Sequence, residues 1–312
     1  VMTAVKYKML IDGKLVDASE TFPVINPATE EEIGQVPEVQ PAQIPTVLEA
    51  ADVAFKSWSN TPFAERRKII LGYADLLEAH RDEIVDVLIA ETGKPVDNAE
   101  YDFDMLPTCL RFFCEEAARI DQQVIPDPDG RFLHYTLRQP LGVVVGYLAW
   151  NFPLLNLGYK LGPVLAAGCT AIIKPSRLTP LATLRCAELL IEAGVPKGVV
   201  NVITGTDYSA TEPLLTSPIT SMFTMIGSTS AGVQTMKTAC TNVKHFSVEL
   251  GGNAPVVVYG DADVDAAAKN IVDLKFANTG QVCVSPNRCF VHESIYDQFL
   301  KVAADHAAGI TL

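Results

Sequence analysis

LGVVVGYLAWNFPLLNLGYKLGPVLAAGCTAIIKP, residues 141–175, decides the fold class. Its opening LGVVVGYLA is a short, valine-rich apolar run, the pattern of a strand buried on both faces. LLNLGYKLGPVLAAG follows with helical spacing of apolar residues and stops at Gly168. TAIIKP then supplies a second apolar strand. Strand, helix and strand in so few residues make a βαβ crossover, the unit of a parallel sheet. The longest weakly charged stretch of the chain, residues 141–173, falls here. Gly142, Gly146, Pro153, Gly158, Gly162, Pro163 and Gly168 interrupt it, and Asn151 and Lys160 lie inside it, so it is not read as a membrane span.

The alternation continues outward. LATLRCAELLIEAG (181–194) is a helix ended by Gly194, VVNVITG (199–205) and SMFTMIG (221–227) are strands, and a helix follows Ser228. After HFSVELGGNAPVVVYG (245–260) comes a helix in DVDAAAKNIVDLKFANTG (263–280), then one more strand and helix in CFVHES and YDQFLKVAADHAAG. Upstream, helical periodicity dominates residues 41–120, with Gly93-Lys94-Pro95 as a helix stop. IDGKLV (11–16) reads as a small strand and turn. Residues 121–140 change character: VIPDPDGR is turn chemistry and RFLHYTLRQP alternates like a strand.

Composition bounds the function. The chain has 312 residues, 48% of them hydrophobic, which is ample for more than one core. The formal charge of −13 disfavours nucleic acid and anionic membranes as partners. The N-terminal twenty residues hold no long unbroken apolar run, so no signal peptide is expected. Seven cysteines, with no CxxC and no Cys/His cluster at ligand spacing, indicate a reduced, cytoplasmic chain without a metal site.

Three segments carry chemistry. Cys283 sits in NTGQVCVSPNR, Glu249 in VELGGNAP and Asn151 in AWNFPLLN. A thiol is a nucleophile, a carboxylate a general base, and an amide an oxyanion donor. Taken singly, Asn151 also reads as a turn asparagine before a helix, and Glu249 as a strand-end carboxylate. The other six cysteines lie in apolar helical or strand patterns, Cys169 and Cys186 as core residues. The nucleotide fingerprint GxGxxG is absent. Gly227-Ser228-Thr229-Ser230-Ala231-Gly232 stands between a strand and a helix instead, followed by Val233 and Gln234 where a P-loop needs Lys and Ser/Thr. A plain strand-to-helix turn wanting glycine would look the same.

Together these segments make the chain resemble the NAD(P)-dependent aldehyde dehydrogenases. PFAERRK and AETGKP resemble the succinate-semialdehyde dehydrogenase branch. The resemblance implies an α/β protein: a Rossmann-like cofactor domain from residues 1–120 and 141–250, and a protruding β-hairpin at 121–140 used in subunit contacts. It also implies the start of a second, catalytic α/β domain at 251–312. The family continues past the place of Leu312, so the resemblance implies a truncated chain, expected to be inactive alone. It implies Cys283 as nucleophile, Asn151 as oxyanion donor and Glu249 as the base that activates water. Trp150, Lys174, Ser176, Arg177, Gly227, Ser228, Gly232 and Leu250 match cofactor positions. NAD-preferring relatives often carry glutamate where Arg177 stands. An arginine there pairs with a 2′-phosphate if it faces the ribose, which favours NADP over NAD, or else points into solvent.

The implied substrate is a small aldehyde and the implied assembly a homodimer or homotetramer. Leu154, Leu155, Tyr159 and Phe276 outline a neutral, partly aromatic pocket, and Tyr159 and Ala277 stand where semialdehyde enzymes hold a distal carboxylate with arginines. Two other readings stay open: a CoA-acylating aldehyde dehydrogenase, and a non-catalytic binding or structural protein that kept the fold.

Overall fold

The computed structural model describes residues 5–311. The chain divides into two compact units, one ending at Glu249 and the other beginning at Leu250. The first unit opens with five short strands, β1 (Val5–Lys6), β2 (Met9–Ile11), β3 (Lys14–Val16), β4 (Thr21–Ile25) and β5 (Glu32–Pro37). Four helices follow: α1 (Ile44–Trp58), α2 (Phe63–Ala79), α3 (Arg81–Thr92) and α4 (Val96–Ala117). After β6 (Val124–Ile125) and β7 (His134–Tyr135) the alternating part begins. It runs β8 (Val143–Tyr147), α5 (Pro153–Ala167), β9 (Thr170–Lys174), α6 (Leu181–Glu192), β10 (Val200–Val202), α7 (Glu212–Thr216), β11 (Thr220–Gly227), α8 (Thr229–Ala239) and β12 (His245–Leu250).

The main sheet has seven strands in the order β12-β11-β8-β9-β10-β2-β3. The pairs β11–β8, β8–β9 and β9–β10 are parallel, as the βαβ pattern of residues 141–175 predicts. The IDGKLV turn is not a separate appendage. Its strands β2 and β3 pair antiparallel and extend the sheet past β10.

Strand periodicity explains why both faces are covered. Val144, Ala171 and Ile173 enter the core beneath α2 to α6, whereas Val143, Val145 and Ile172 enter the core that holds Ile44, Val47 and Ala51 of α1. Helices α4 and α5 lie unusually close, because a Cβ at Gly158 would sit 3.1 Å from the Leu106 Cα. Gly93 ends α3 with φ 67°, the left-handed stop expected of it.

The hairpin at 121–140 is much shorter than its sequence alternation predicts. Val124–Ile125 pair with His134–Tyr135, and the ladder is continued only by Gln123 and Thr136, where Thr136 N donates to Gln123 O at 2.8 Å. Between them Asp127 accepts from the Arg131 and Phe132 amides and fixes a loop. Val124, Phe132, Leu133, Tyr135 and Leu137 are all exposed, so no second layer extends the ladder.

The second unit holds parallel strands β13 (Pro255–Val258) and β14 (Arg288–Val291) with helices α9 (Val264–Phe276) and α10 (Tyr296–Ala308). Val258, Val264, Ala268 and Phe299 form its small core.

Candidate active site

The strand order reverses at β8. The chain lays β9 and β10 outward on one side of β8, then places β11 on the other. Register aligns Tyr147 with Lys174 of β9 and with Met225 of β11, so three carboxyl ends finish side by side. In doubly wound sheets, ligands bind outside the carboxyl ends at such a reversal. The loops leaving this edge carry Trp150 and Asn151, Lys174 to Arg177, and Gly227 with Ser228.

Gly227 ends β11, and Ser228 caps the eleven-residue α8, its Oγ accepting from Ala231 N at 3.2 Å. The first turn of α8 has no acidic side chain. Its leading amides and helix dipole therefore favour an anion. Gly232 is buried in the same helix.

Lys174 is only 2% exposed. Its Nζ donates to Gly205 O at 2.8 Å and lies 4.4 Å from the Tyr208 ring. Burial pushes its ammonium down to about 8, the Glu38 carboxylate opposes that shift, and the Arg177 guanidinium adds to it. Glu38 tethers the loop over Lys174, accepting from Thr206 N at 2.8 Å and Thr206 Oγ1 at 3.0 Å. Ser176 Oγ accepts from Leu178 N at 3.2 Å, which shapes the turn that exposes Arg177. Tyr208 and Glu38 carry no motif. Only the fold brings them to Lys174.

Asn151 is half-buried at the start of α5. The N-cap, Phe152, has no side-chain acceptor, and Pro153 at the first helical position has no N–H. Asp102 of α4 compensates, its Oδ1 accepting from Leu155 N at 2.7 Å. Lys94 Nζ donates to Asp102 Oδ2 at 2.7 Å and to Asn151 O at 2.8 Å. Burial depresses the Lys94 ammonium and raises the Asp102 carboxyl, and each counteracts the other's shift.

Leu155 and Tyr159 lie one turn apart on the outward side of α5, half-buried and exposed. Leu154 is fully buried in the core and is no pocket residue, because the three-residue step to Leu157 turns it inward. Lys160, on the buried side, was not among the residues singled out by motif. Burial lowers its ammonium, and the charge of Glu249 opposes that shift. A lone lysine in an apolar helical run was the available signal. Glu249 itself is exposed near the end of β12, and Leu250, half-buried, is that strand's last residue.

In the second unit Cys283 is exposed, and Phe276 lies exposed at the end of α9. Asn278, Thr279 and Gly280 precede the cysteine with φ of 47°, 56° and 78°. Left-handed backbone is uncommon outside glycine and costly for a β-branched threonine. The Asn278 carbonyl gathers the turn, accepting from Thr279 Oγ1 at 2.7 Å and from Gln281 N at 3.1 Å. Ser285 N donates to Val282 O at 3.0 Å and closes the backbone around Cys283. The LGGN segment runs alongside: a Cβ at Gly252 would lie 3.8 Å from Cys283 O, and Asn287 donates to Asn253.

Cys109, Cys114, Cys169 and Cys186 are buried, and burial pushes the Cys109 thiol up to about 11. Cys240 and Cys289, in apolar patterns by sequence, are exposed instead, because Cys240 caps the end of α8 and β14 is uncovered on the Cys289 side. Among the described residues no three His, Cys, Asp or Glu side chains group to hold a metal ion. None of the described helices is long and apolar enough to cross a membrane.

This doubly wound, nucleotide-type sheet followed by an exposed cysteine turn defines a recognisable class. The aldehyde dehydrogenase family profile matches residues 15–312, and the chain belongs to that family. It is 41% identical over 300 residues to the mitochondrial succinate-semialdehyde dehydrogenase of Arabidopsis thaliana, covering 95% of this chain and 56% of that protein. It is 36% identical to the NADP(+)-linked succinate-semialdehyde dehydrogenase of Escherichia coli, covering 94% and 62%. The crystal structure of succinate-semialdehyde dehydrogenase from Burkholderia pseudomallei superimposes with a TM-score of 0.95 at 35% identity, over 98% of this chain and 64% of that one. The chain thus spans less than two thirds of the length of these relatives.

Proposed function

We propose that the chain carries the nucleotide-binding part and the nucleophile segment of an NAD(P)-dependent aldehyde dehydrogenase, which oxidises an aldehyde to the carboxylic acid. The observation that carries this reading is the family match over residues 15–312, which takes in Asn151, Glu249 and Cys283 in one chain. The Cys283 thiolate adds to the aldehyde carbon and creates an oxyanion. The Asn151 side-chain amide and the Cys283 backbone N–H donate to it. The bound nicotinamide supplies the hydride acceptor. Cys283 is left holding the acyl group as a thioester, and Glu249 takes a proton from the water that hydrolyses it, which returns the thiol.

The residues at the reversal of the sheet fit a dinucleotide. The start of α8 offers unshared amides with no acidic residue beside them, and Lys174 and Arg177 set positive charge nearby. In this reading Gly227, Ser228 and Gly232 hold the pyrophosphate, Lys174 and Ser176 the adenosine ribose, and Trp150 and Leu250 the nicotinamide end. The exposed Arg177 supports use of NADP at least as well as NAD, in keeping with the NADP(+)-linked relative. Leu155, Tyr159 and Phe276 carry no charge, so a neutral aldehyde is expected to turn over at least as well as succinate semialdehyde. The exposed apolar side chains of the 121–140 hairpin support self-association as a homodimer or homotetramer. Seven free cysteines suit a reducing compartment, and the cytoplasm is the proposed location.

The test is steady-state oxidation of both aldehyde types by the intact protein with each cofactor, with the product identified. Free acid supports the reading and an acyl-CoA overturns it. Glu249→Gln should give one burst of reduced cofactor followed by negligible turnover. Undiminished turnover in that variant removes Glu249 from the hydrolytic step.

A further inference from the structure

Lys94 and Asp102 form a buried ion pair far in sequence from every residue given a chemical role above. Their side chains are 1% and 0% exposed. Burying two charges is expensive, and a well-packed apolar pair of similar volume is often as stable or more so. Stability alone therefore gives a weak account of this pair. What the two charges touch gives a better one. Lys94 Nζ reaches Asn151 O at 2.8 Å and stands 4.1 Å from the centroid of the Phe152 ring. Asp102 Oδ1 takes the Leu155 amide at 2.7 Å. The Tyr101 ring meets the Phe152 ring edge-on at 6.4 Å. Every residue from Asn151 to Leu155 is thus fixed directly or stands next to one that is. The turn's own cap is weak, since the Phe152 side chain accepts nothing and Pro153 lacks a donor, and Asn156 adds only the bonds of its N to Phe152 O at 2.9 Å and of its Nδ2 to Ala149 O at 3.2 Å.

We propose that the buried Lys94–Asp102 pair is a positioning device that holds the Asn151 turn in place, through the Asn151 carbonyl on one side and the Leu155 amide on the other, so that the Asn151 amide is preorganised for the oxyanion. The inference rests on the role given to Asn151 above. An oxyanion donor works only when its position is set before charge develops, and misplacement by about 1 Å can cost about a hundredfold in rate. Lys94 places the point of attachment because Gly93 turns the chain inward at the end of α3, and Asp102 lies two turns into α4, on the side that faces α5.

Four variants of the intact protein test this, the fourth combining the paired change with Asn151→Ala. Lys94→Met removes the cation. Lys94→Met/Asp102→Leu replaces the pair by apolar side chains and keeps the fold where the single change does not. Asn151→Ala removes the donor itself. Single-turnover formation of reduced cofactor should slow about 10- to 100-fold in the paired variant. Its melting temperature, cofactor dissociation constant and aldehyde KM should stay within about threefold or a few degrees of the parent. Adding Asn151→Ala to it should produce no further loss beyond Asn151→Ala alone. A parent-like rate in a folded paired variant, or losses that multiply when the changes are combined, overturns the positioning role while leaving Asn151 as donor. An Asn151→Ala variant as fast as the parent overturns the oxyanion role, and the positioning inference with it.

Discussion

The turn that carries Asn151 and the turn that carries Cys283 are held by opposite means. The first is fixed from outside, by Lys94 and Asp102, which lie about fifty residues upstream. The second is fixed from within, by hydrogen bonds among residues 278–285 and at the expense of left-handed backbone at Asn278 and Thr279. The first turn is therefore expected to respond to substitutions at its distant anchors, and the second to substitutions within residues 278–285. The first arrangement recurs at α6, where the N-cap Pro180 offers no side-chain acceptor. Buried Glu91 of α3 accepts from Leu181 N at 2.6 Å and from Ala182 N at 3.1 Å.

Substitutions can break this contrast, and the largest effects fall on the chemical groups themselves. Cys283→Ala should lower aldehyde oxidation by more than about a thousandfold while leaving cofactor affinity, measured by fluorescence titration, nearly unchanged. Residual turnover near the parent level would move the nucleophile elsewhere. Asn151→Ala should slow hydride transfer by about 10²–10³-fold with little change in melting temperature.

Glu91 sharpens the contrast through pH. Desolvation raises its carboxyl from 4.5 to about 8, against the two backbone amides that lower it. A raised folded value means the stabilisation is complete below the unfolded value and is lost as pH climbs through about 8. Denaturant unfolding should therefore show stability falling by a few kcal/mol between pH 5 and pH 9, at about 1.4 kcal/mol per unit of displacement. Glu91→Gln should flatten that slope, and an equally steep slope in the variant assigns it to other groups.

Arg177 lies on the exposed turn between β9 and α6, so its effect should be confined to the ligand. Arg177→Glu is expected to reduce kcat/KM with NADP about tenfold or more while changing it little with NAD. Equal effects on both cofactors would mean that Arg177 does not meet the 2′-position. The smallest effect belongs to the strained turn. Thr279→Gly should raise stability by up to about 1 kcal/mol, read from the urea midpoint, because glycine adopts positive φ without the threonine's steric penalty. A lower midpoint would show that the Thr279 side chain contributes more than its backbone strain costs.

Much of the fold was legible because its signals are local. Valine-rich runs, helical spacing and glycine stops at Gly93 and Gly168 sufficed for the parallel sheet and its helices. The cysteine, glutamate and asparagine segments were legible by their resemblance to known motifs. The strand order was not, since nothing local tells the chain to set β11 on the far side of β8. The hairpin at 121–140 was over-read because alternation of side chains does not guarantee a ladder without a layer to cover it. Lys94, Asp102, Glu91 and Glu38 were illegible as anchors for a different reason. Each of them anchors a backbone atom distant in sequence, and a backbone atom carries no sequence signal.

The α3–α4 pair bears Glu91, Lys94 and Asp102, and these three titratable groups act on one another's ionisation. One helical hairpin thus sets the starting points of both α5 and α6. A shift of that hairpin is therefore expected to move the two helix starts together, as two marks on one ruler move together. The spacing between the starts of α5 and α6 should then vary less than the position of either, and correlated displacement parameters at Leu155 and Leu181 would be its crystallographic signature.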